Sequence, residues 1–318
     1  MQRRNIRYGI CLLTCILILT FTPVAKLLTN KTAATAILFL ETGRILRAPP
    51  KTEVQPQTLP PERETTAPPL QKPAPTFSSS DAKLVKVNSY CGYSTDIPAW
   101  LETPLSWDLQ QKEPTVLILH SHGTEGYVNM KKGNYRTRDL GENMISVGDL
   151  LAARLEAAGI GVVHDRTMHD YPSYNAAYEN SRAAAKKILK ENPSISLILD
   201  LHRDAATDSN GKQIKYTLQT QVGVAAKMMF VVGTDAGGLS HNNWPENMSL
   251  AVKLQTLLER ENPGICRPIS FRTQRFNQDL SPGALLVEMG SAGNSRQEAL
   301  VAAELLAEAI ITLSKGTE

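Results

Sequence analysis

The chain has 318 residues, is 42% apolar and carries a formal net charge of +3. That length is enough for one or two domains with a sizeable core. A charge so near balance decides nothing about nucleic acid, but there is no long Lys/Arg cluster, and no nucleic-acid partner is expected.

Arg3, Arg4 and Arg7 precede an uncharged, largely apolar stretch over residues 8–25. As a helix, eighteen residues span about 27 Å, close to a bilayer's hydrocarbon thickness. The stretch reads as a single membrane anchor with a cytoplasmic N-terminus. It is preferred to a cleaved signal peptide because it is long for one and no small-x-small cleavage site follows. Residues 1–30 are therefore expected to be tip and anchor, with everything after them extracytoplasmic. Residues 31–81 are rich in Pro pairs and read as an extended linker or stalk. Residues 82–112 show no sustained period and are taken as a short lead-in. From 113 to 318 strand-like and helix-like patterns alternate, which predicts a domain of about 200 residues. Its fold class is α/β, a mixed or mostly parallel sheet with helices on both faces. Strands are expected at 116–119, 161–163, 197–201, 227–232, 269–271 and 284–287, and helices at 143–158, 175–190, 248–258 and 297–313. Cys91 and Cys266, the only cysteines beyond the apolar stretch, are expected to be unpaired.

Three apolar runs end in acids or histidines: Val-Leu-Ile-Leu before His120-Ser-His122-Gly-Thr-Glu125, Leu-Ile-Leu-Asp-Leu before His202-Arg-Asp204, and Ala-Leu-Leu-Val before Glu288. Continuous apolar runs are the mark of strands buried on both faces, and residues just past the carboxyl ends of such strands line the crevice of an open α/β sheet. Two imidazoles and a carboxylate are a hydrolytic zinc set that leaves a fourth position for water. His122, Glu125 and His202 are the expected Zn2+ ligands. Glu288, a carboxylate set straight after an apolar run, is expected to be the general base and acid. His122 is preferred to His120 because it sits with Glu125 beyond the strand, and His120 is expected to be packed or to sit behind the ligand set. Asp200, two residues before His202, is an expected acceptor for that ring. Polar residues beside the cleft, Asn175, Arg203 and Asn277, are candidates for binding substrate or for structural roles.

Several further stretches join these motifs. They are Asn143-Met-Ile-Ser-Val-Gly-Asp149, His169-Asp-Tyr-Pro-Ser-Tyr-Asn-Ala-Ala-Tyr178, Leu199-Asp-Leu-His-Arg-Asp-Ala205, Met229-Phe-Val-Val-Gly233, Phe276-Asn-Gln278 and Leu286-Val-Glu-Met-Gly-Ser-Ala-Gly-Asn294. Together with His120-Ser-His-Gly-Thr-Glu-Gly-Tyr127 they resemble the stage II sporulation protein P family of bacterial cell-wall amidases, from about residue 116 to the C-terminus. Gly126 departs from the Ser or Ala expected there. The resemblance implies a zinc-dependent N-acetylmuramoyl-L-alanine amidase fold and activity, with endopeptidase cleavage of stem-peptide cross-links as a second activity. Carried over position by position, it implies His122, Glu125 and His202 as ligands and Glu288 as the catalytic carboxylate. The implied substrate is peptidoglycan, and the implied partners are other membrane and wall-remodelling proteins of forespore engulfment. Two other functions share these residues. One is a zinc carboxypeptidase trimming wall peptides, which needs an arginine such as Arg203 or Arg275 for the terminal carboxylate. The other is a non-catalytic wall-binding scaffold.

Overall fold

In a computed structural model of the chain, the structure describes residues 74–106, 108–128 and 135–315. A seven-stranded sheet organises them. Its strands are β1 (Val87–Ser89), β2 (Val116–Leu119), β3 (Val162–His164), β4 (Leu197–Asp204), β7 (Met228–Val232), β8 (Ile269–Phe271) and β9 (Gly283–Ser291). Their order across the sheet is β1-β8-β7-β9-β4-β2-β3. All neighbours are parallel except β7 and β9, which run antiparallel. The remaining two strands, β5 (Thr217–Thr220) and β6 (Gly223–Ala226), form a separate antiparallel hairpin. The fold is thus mixed α/β with a mostly parallel sheet, as the alternation of patterns predicts.

Among the described residues five α-helices accompany the sheet: α1 (Ile97–Glu102), α2 (Met144–Ala157), α3 (Ala177–Glu191), α4 (Trp244–Glu261) and α5 (Arg296–Ser314). The alternation of side chains along each strand decides which helix covers which face. Val116 and Ile118 of β2, Leu197, Leu199 and Leu201 of β4, and Leu285 and Val287 of β9 share one core with apolar residues of α1, α2, α4 and α5. The intervening residues Leu117, Leu119, Ile198 and Ala284 form a smaller core on the opposite face with Ala185, Ile188 and Leu189 of α3. Helices therefore cover both faces. The same alternation puts Asp200 and His202 of β4, and Glu288 of β9, on the α3 side.

Helix ends follow local chemistry. Asn143 caps α2 by accepting from Ile145 N, and Ser295 and Glu298 make a reciprocal capping box on α5. Residues 82–112, expected as a lead-in, supply the edge strand β1, paired with β8, and the helix α1. Lys253 of α4, buried, donates to the carbonyl oxygens of Trp100, Leu101 and Thr103 at 2.9, 2.6 and 2.6 Å, satisfying acceptors at the end of α1. Just before this segment, Asp81 pairs with Arg260 of α4 at 2.8 Å. Cys91 and Cys266 are both free thiols.

One expectation is corrected. Among the described residues no helix is long and apolar enough to cross a membrane, so the single-pass membrane location is not upheld. Residues 8–25, which carry that expectation, and residues 31–73 of the Pro-rich stretch lie outside the described residues.

Candidate active site

The carboxyl ends of β2, β4 and β9 lie side by side, and a cluster of buried polar groups gathers there. After β2 the chain turns through residues 121–124, with Glu125 N donating to His122 O at 3.0 Å. Backbone bridges from Glu125 to Arg136 and from Gly126 to Asn143 then fix the segment. His122 and Glu125, three apart, so come to the same side of the turn. His202 leaves β4 on the α3 face, and its direct register partner on β9 is Glu288. Residues opposite each other in adjacent strands point to one face of a sheet, so these two side chains are neighbours although 86 positions separate 202 from 288 in the chain.

The rings of His122 and His202 lie edge to face with centroids 5.4 Å apart. His202 Nδ1 stands 3.7 Å from Glu125 Oε2. His202 Nε2 is 2.9 Å from Asp200 Oδ1, although too poorly aligned for a hydrogen bond. Asp200 is itself held by Ser121, which donates its N–H to Oδ1 at 2.8 Å and its hydroxyl to Oδ2 at 2.6 Å. His122 Nδ1 is buried without a hydrogen-bond partner, 3.8 Å from Asp170 Oδ2. Asp170 in turn accepts from Thr124 Oγ1 at 2.5 Å and from Arg136 Nη1 at 2.7 Å.

The charges of the cluster respond to burial and to one another. Burial pulls the His202 imidazole down, but Asp200 first, then Glu125 and Glu288, outweigh it and hold its pKa up at about 9. His122 goes the other way, because burial and the His202 charge both disfavour a second imidazolium there. Burial, reinforced by Glu125 and opposed by His202, pushes Glu288 up to about 8. Its Oε2 is buried without a partner. A carboxyl that keeps its proton near neutrality beside the His202 imidazole has the protonation range of an acid–base catalyst.

His120 lies across the sheet from this cluster, against α2. Its Nδ1 donates to Leu201 O at 3.3 Å and its Nε2 pairs with His164 Nε2 at 2.8 Å. Gly148 of α2 makes the room, since a Cβ there would stand 2.6 Å from both of those Nε2 atoms.

The candidates for substrate contact are placed differently. Arg203 is buried at an irregularity in the β4–β9 register. Its backbone N–H reaches Glu125 Oε2 at 3.0 Å, its Nε reaches Gly126 O at 3.0 Å, and its Nη2 reaches Tyr135 O at 2.9 Å. It braces the Glu125 segment. Asn277 donates to Tyr178 O at 2.8 Å and accepts from Arg182 Nη1 at 3.3 Å, clasping its loop to α3. Asn175 is exposed on a 3-10 turn, Tyr174–Ala176.

Four further residues belong to the cluster without having been singled out from the sequence. Tyr174 stacks on His122 at 4.3 Å, and Tyr178 meets His122 edge-on at 5.5 Å and stacks with His202 at 6.2 Å. Arg136 lies over the Tyr174 ring at 4.5 Å, and Asp170 anchors it. The stretch from His169 to Tyr178 contains three of the four, so a signal existed; Arg136, an isolated cation in a polar segment, offered none.

The donor chemistry here fits a zinc ion: two imidazoles, a carboxylate, and a buried Nδ1 of His122 that has no hydrogen-bond partner among the described residues. The side chains as they stand do not close a ligand shell. Among the described residues no three His, Cys, Asp or Glu side chains gather as a metal-holding group.

Comparison with known proteins accounts for this set of motifs. The model of the Stage II sporulation protein P family matches residues 42–311. The chain belongs to that family. A Stage II sporulation protein P from Bacillus subtilis (strain 168) is 31% identical over 227 residues, which is 63% of this chain and 53% of the relative. The chain thus spans about half the length of the relative it matches. Two solved structures are similar over 64% of this chain. The N-acetylmuramyl-L-alanine amidase Ami1 from Mycobacterium smegmatis has 14% identity and a TM-score of 0.39, with 98% of that chain covered. The apo form of Ami1 from Mycobacterium abscessus has 11% identity and a TM-score of 0.36, with 96% covered.

Proposed function

We propose that the chain is a zinc-dependent peptidoglycan hydrolase that cleaves the N-acetylmuramoyl-L-alanine amide bond, with stem-peptide cross-links as a second target, in the wall remodelling of forespore engulfment. The observation that carries this is Glu288: a carboxyl whose Oε2 is buried without a partner among the described residues, raised to about 8, in direct register with His202. Membership of a sporulation family supports the setting, and a wall polymer is the substrate with which such chemistry fits that setting.

His122, Glu125 and His202 would hold the zinc. When bound, it supplies a Lewis acid that polarises the amide carbonyl and acidifies water. Glu288 receives the proton of the attacking water and delivers it to the leaving amine. Asp200, 2.9 Å from His202 Nε2, is the carboxylate placed to orient that imidazole from behind, the arrangement by which a carboxylate fixes the ring of a metal-binding histidine. Arg136 offsets the charge that Glu125 and Asp170 bring together. Tyr174 and Tyr178 cover the ring faces and keep water from them.

A carboxypeptidase needs a free arginine at the cleft. Arg203 is spent on Glu125, Gly126 O and Tyr135 O, and Arg275 is paired with Asp279 at 3.1 Å. That disfavours the trimming of terminal residues. Zinc measured on purified protein, together with muropeptide release from purified wall, tests the proposal. One zinc per chain with release supports it; a metal-free protein that binds wall without cutting it makes the chain a scaffold.

A further inference from the structure

Beside the imidazole pair lies a cavity of about 430 Å³ that the cluster above does not use, within the size range of small-molecule sites, roughly 300–1,000 Å³. Tyr178, Leu239, Gln274, Arg275, Phe276 and Asn277 line it. Its inner wall is the ring of Tyr178, the same ring that covers His122 and His202, so an occupant would sit next to the candidate reacting centre. The Phe276 ring lies 6.0 Å from that of Tyr178, tilted by 54°.

The backbone at Phe276 is unusual. Phe276 and Asn277 have φ of 50° and 59°, two consecutive non-glycine residues in the left-handed region. Asn tolerates this conformation; a bulky aromatic residue rarely adopts it. The surroundings hold the turn there. Asn277 is bonded to Tyr178 O, Arg182 grips Asp279 at 2.8 and 2.6 Å, and the Gln278 amide bonds both Gly233 N and Val231 O at 2.7 Å. Strain that is fixed from several sides, at the wall of a cavity, is a mark of a functional surface. What it achieves is to aim an aromatic ring into the space beside Tyr178. Leu239, 58% exposed, extends the apolar wall to the rim, and the exposed Gln274 and Glu179 supply polar groups there.

Aromatic walls with a polar rim suit a ring that has apolar C–H faces and hydroxyl or amide edges. The cations nearby are committed: Arg182 and Arg275 both pair with Asp279. Among the described residues no free guanidinium faces the cavity to take the carboxylates of a stem peptide. We propose that this cavity is a glycan subsite, seating one N-acetylated hexose ring of the wall polymer beside the scissile amide, with Tyr178, Phe276 and Leu239 as its walls. This rests on the assignment of the neighbouring cleft as the wall-hydrolysing centre.

The test uses the full chain, with tri-N-acetylglucosamine and, separately, an L-alanyl-D-glutamyl peptide as probes, followed by chemical-shift or saturation-transfer NMR. The trisaccharide is expected to bind, and Leu239→Arg, a change at an exposed position, is expected to weaken it at least tenfold with an unchanged melting temperature. Phe276→Ala should do the same, and the control Val222→Ser, on the distant hairpin turn, should not. Peptide binding should be unaffected by Leu239→Arg. The inference is overturned if the trisaccharide fails to bind at millimolar concentration while wall hydrolysis is intact. It is also overturned if Leu239→Arg leaves sugar binding unchanged, or if that change weakens the peptide and spares the sugar. Sugar binding that responds to Leu239→Arg in a protein that cuts no wall would support the subsite and count against the hydrolase itself.

Discussion

Replacing Glu288 with glutamine separates catalysis from structure because the two accounts differ in sign. The folded-state pKa of about 8 lies above the ordinary carboxyl value of 4.5. Between those values the native state keeps a proton that the unfolded chain has released, so the stability of the wild-type protein falls as pH rises through that window. At pH 7 the offset covers 2.5 pH units, and at 1.36 kcal/mol per unit it amounts to about 3 kcal/mol. Glutamine does not titrate. The zinc-free Glu288→Gln protein should therefore gain about 3 kcal/mol on the wild type between pH 4.5 and pH 7, a shift of roughly 6–12 °C in melting temperature for a domain this size. Constant terms, such as an imperfectly bonded amide, cancel in that difference. Hydrolysis of purified peptidoglycan should meanwhile fall by about 10²–10⁴-fold, the usual contribution of general acid–base catalysis. Thermal melts at both pH values, with muropeptide release assayed beside them, provide both numbers. If Glu288 were instead the partner of a buried cation, glutamine would destabilise the domain by about 3–5 kcal/mol at pH 7. A melting temperature that drops at pH 7, or a difference that ignores pH, would refute the reasoning, and so would full activity.

The other expectations concern the frame around that carboxyl. His122→Ala and His202→Ala should each lose zinc and hydrolysis together, whereas His120→Ala, whose ring bonds Leu201 O and His164 on the other face, should keep its zinc; metal analysis of the three proteins decides. Gly148→Ala would ordinarily strengthen a helix by about 1 kcal/mol, but its Cβ meets both Nε2 atoms at 2.6 Å, so a net loss of about 1–3 kcal/mol is expected by denaturant unfolding. Arg136→Ala removes the cation that Asp170 and Glu125 share, while Arg203 still reaches Glu125, and should cost about 3 kcal/mol in the same assay, mainly through the buried Asp170.

How much of this was legible follows from burial. Val116–Leu119 and Ile269–Phe271 are strands over the expected residues, and β4 and β9 contain theirs, because strands buried on both faces read as largely apolar runs, broken here only by Ser270 in β8 and Asp200 in β4 within the expected spans. The edge strand Val87–Ser89 has no fully buried residue, and the hairpin of β5 and β6 is half exposed. Neither carries such a run, so neither was visible. The period of two along β4 foretold that Asp200 and His202 share a face; the same period would have put His120 and His122 on one face, and it is the turn through residues 121–124 after β2 that separates them. Arg136, Asp170, Tyr174 and Tyr178 arrive on turns and on the first residues of α3, where position is set by bridges and hydrogen bonds between distant segments. No periodicity announces them. Arg203 shows the converse: a polar residue at a strand end looked available to a ligand, and the register irregularity beside it turned its guanidinium inward to Glu125 and Gly126 instead.

The most direct test of the central claim is mass analysis of what zinc-loaded protein releases from purified peptidoglycan. Stem peptides with a free L-alanine amine, and glycan strands left without them, are the predicted products. Absence of any released peptide, or release only of residues trimmed from the peptide's carboxyl end, would contradict an N-acetylmuramoyl-L-alanine amidase.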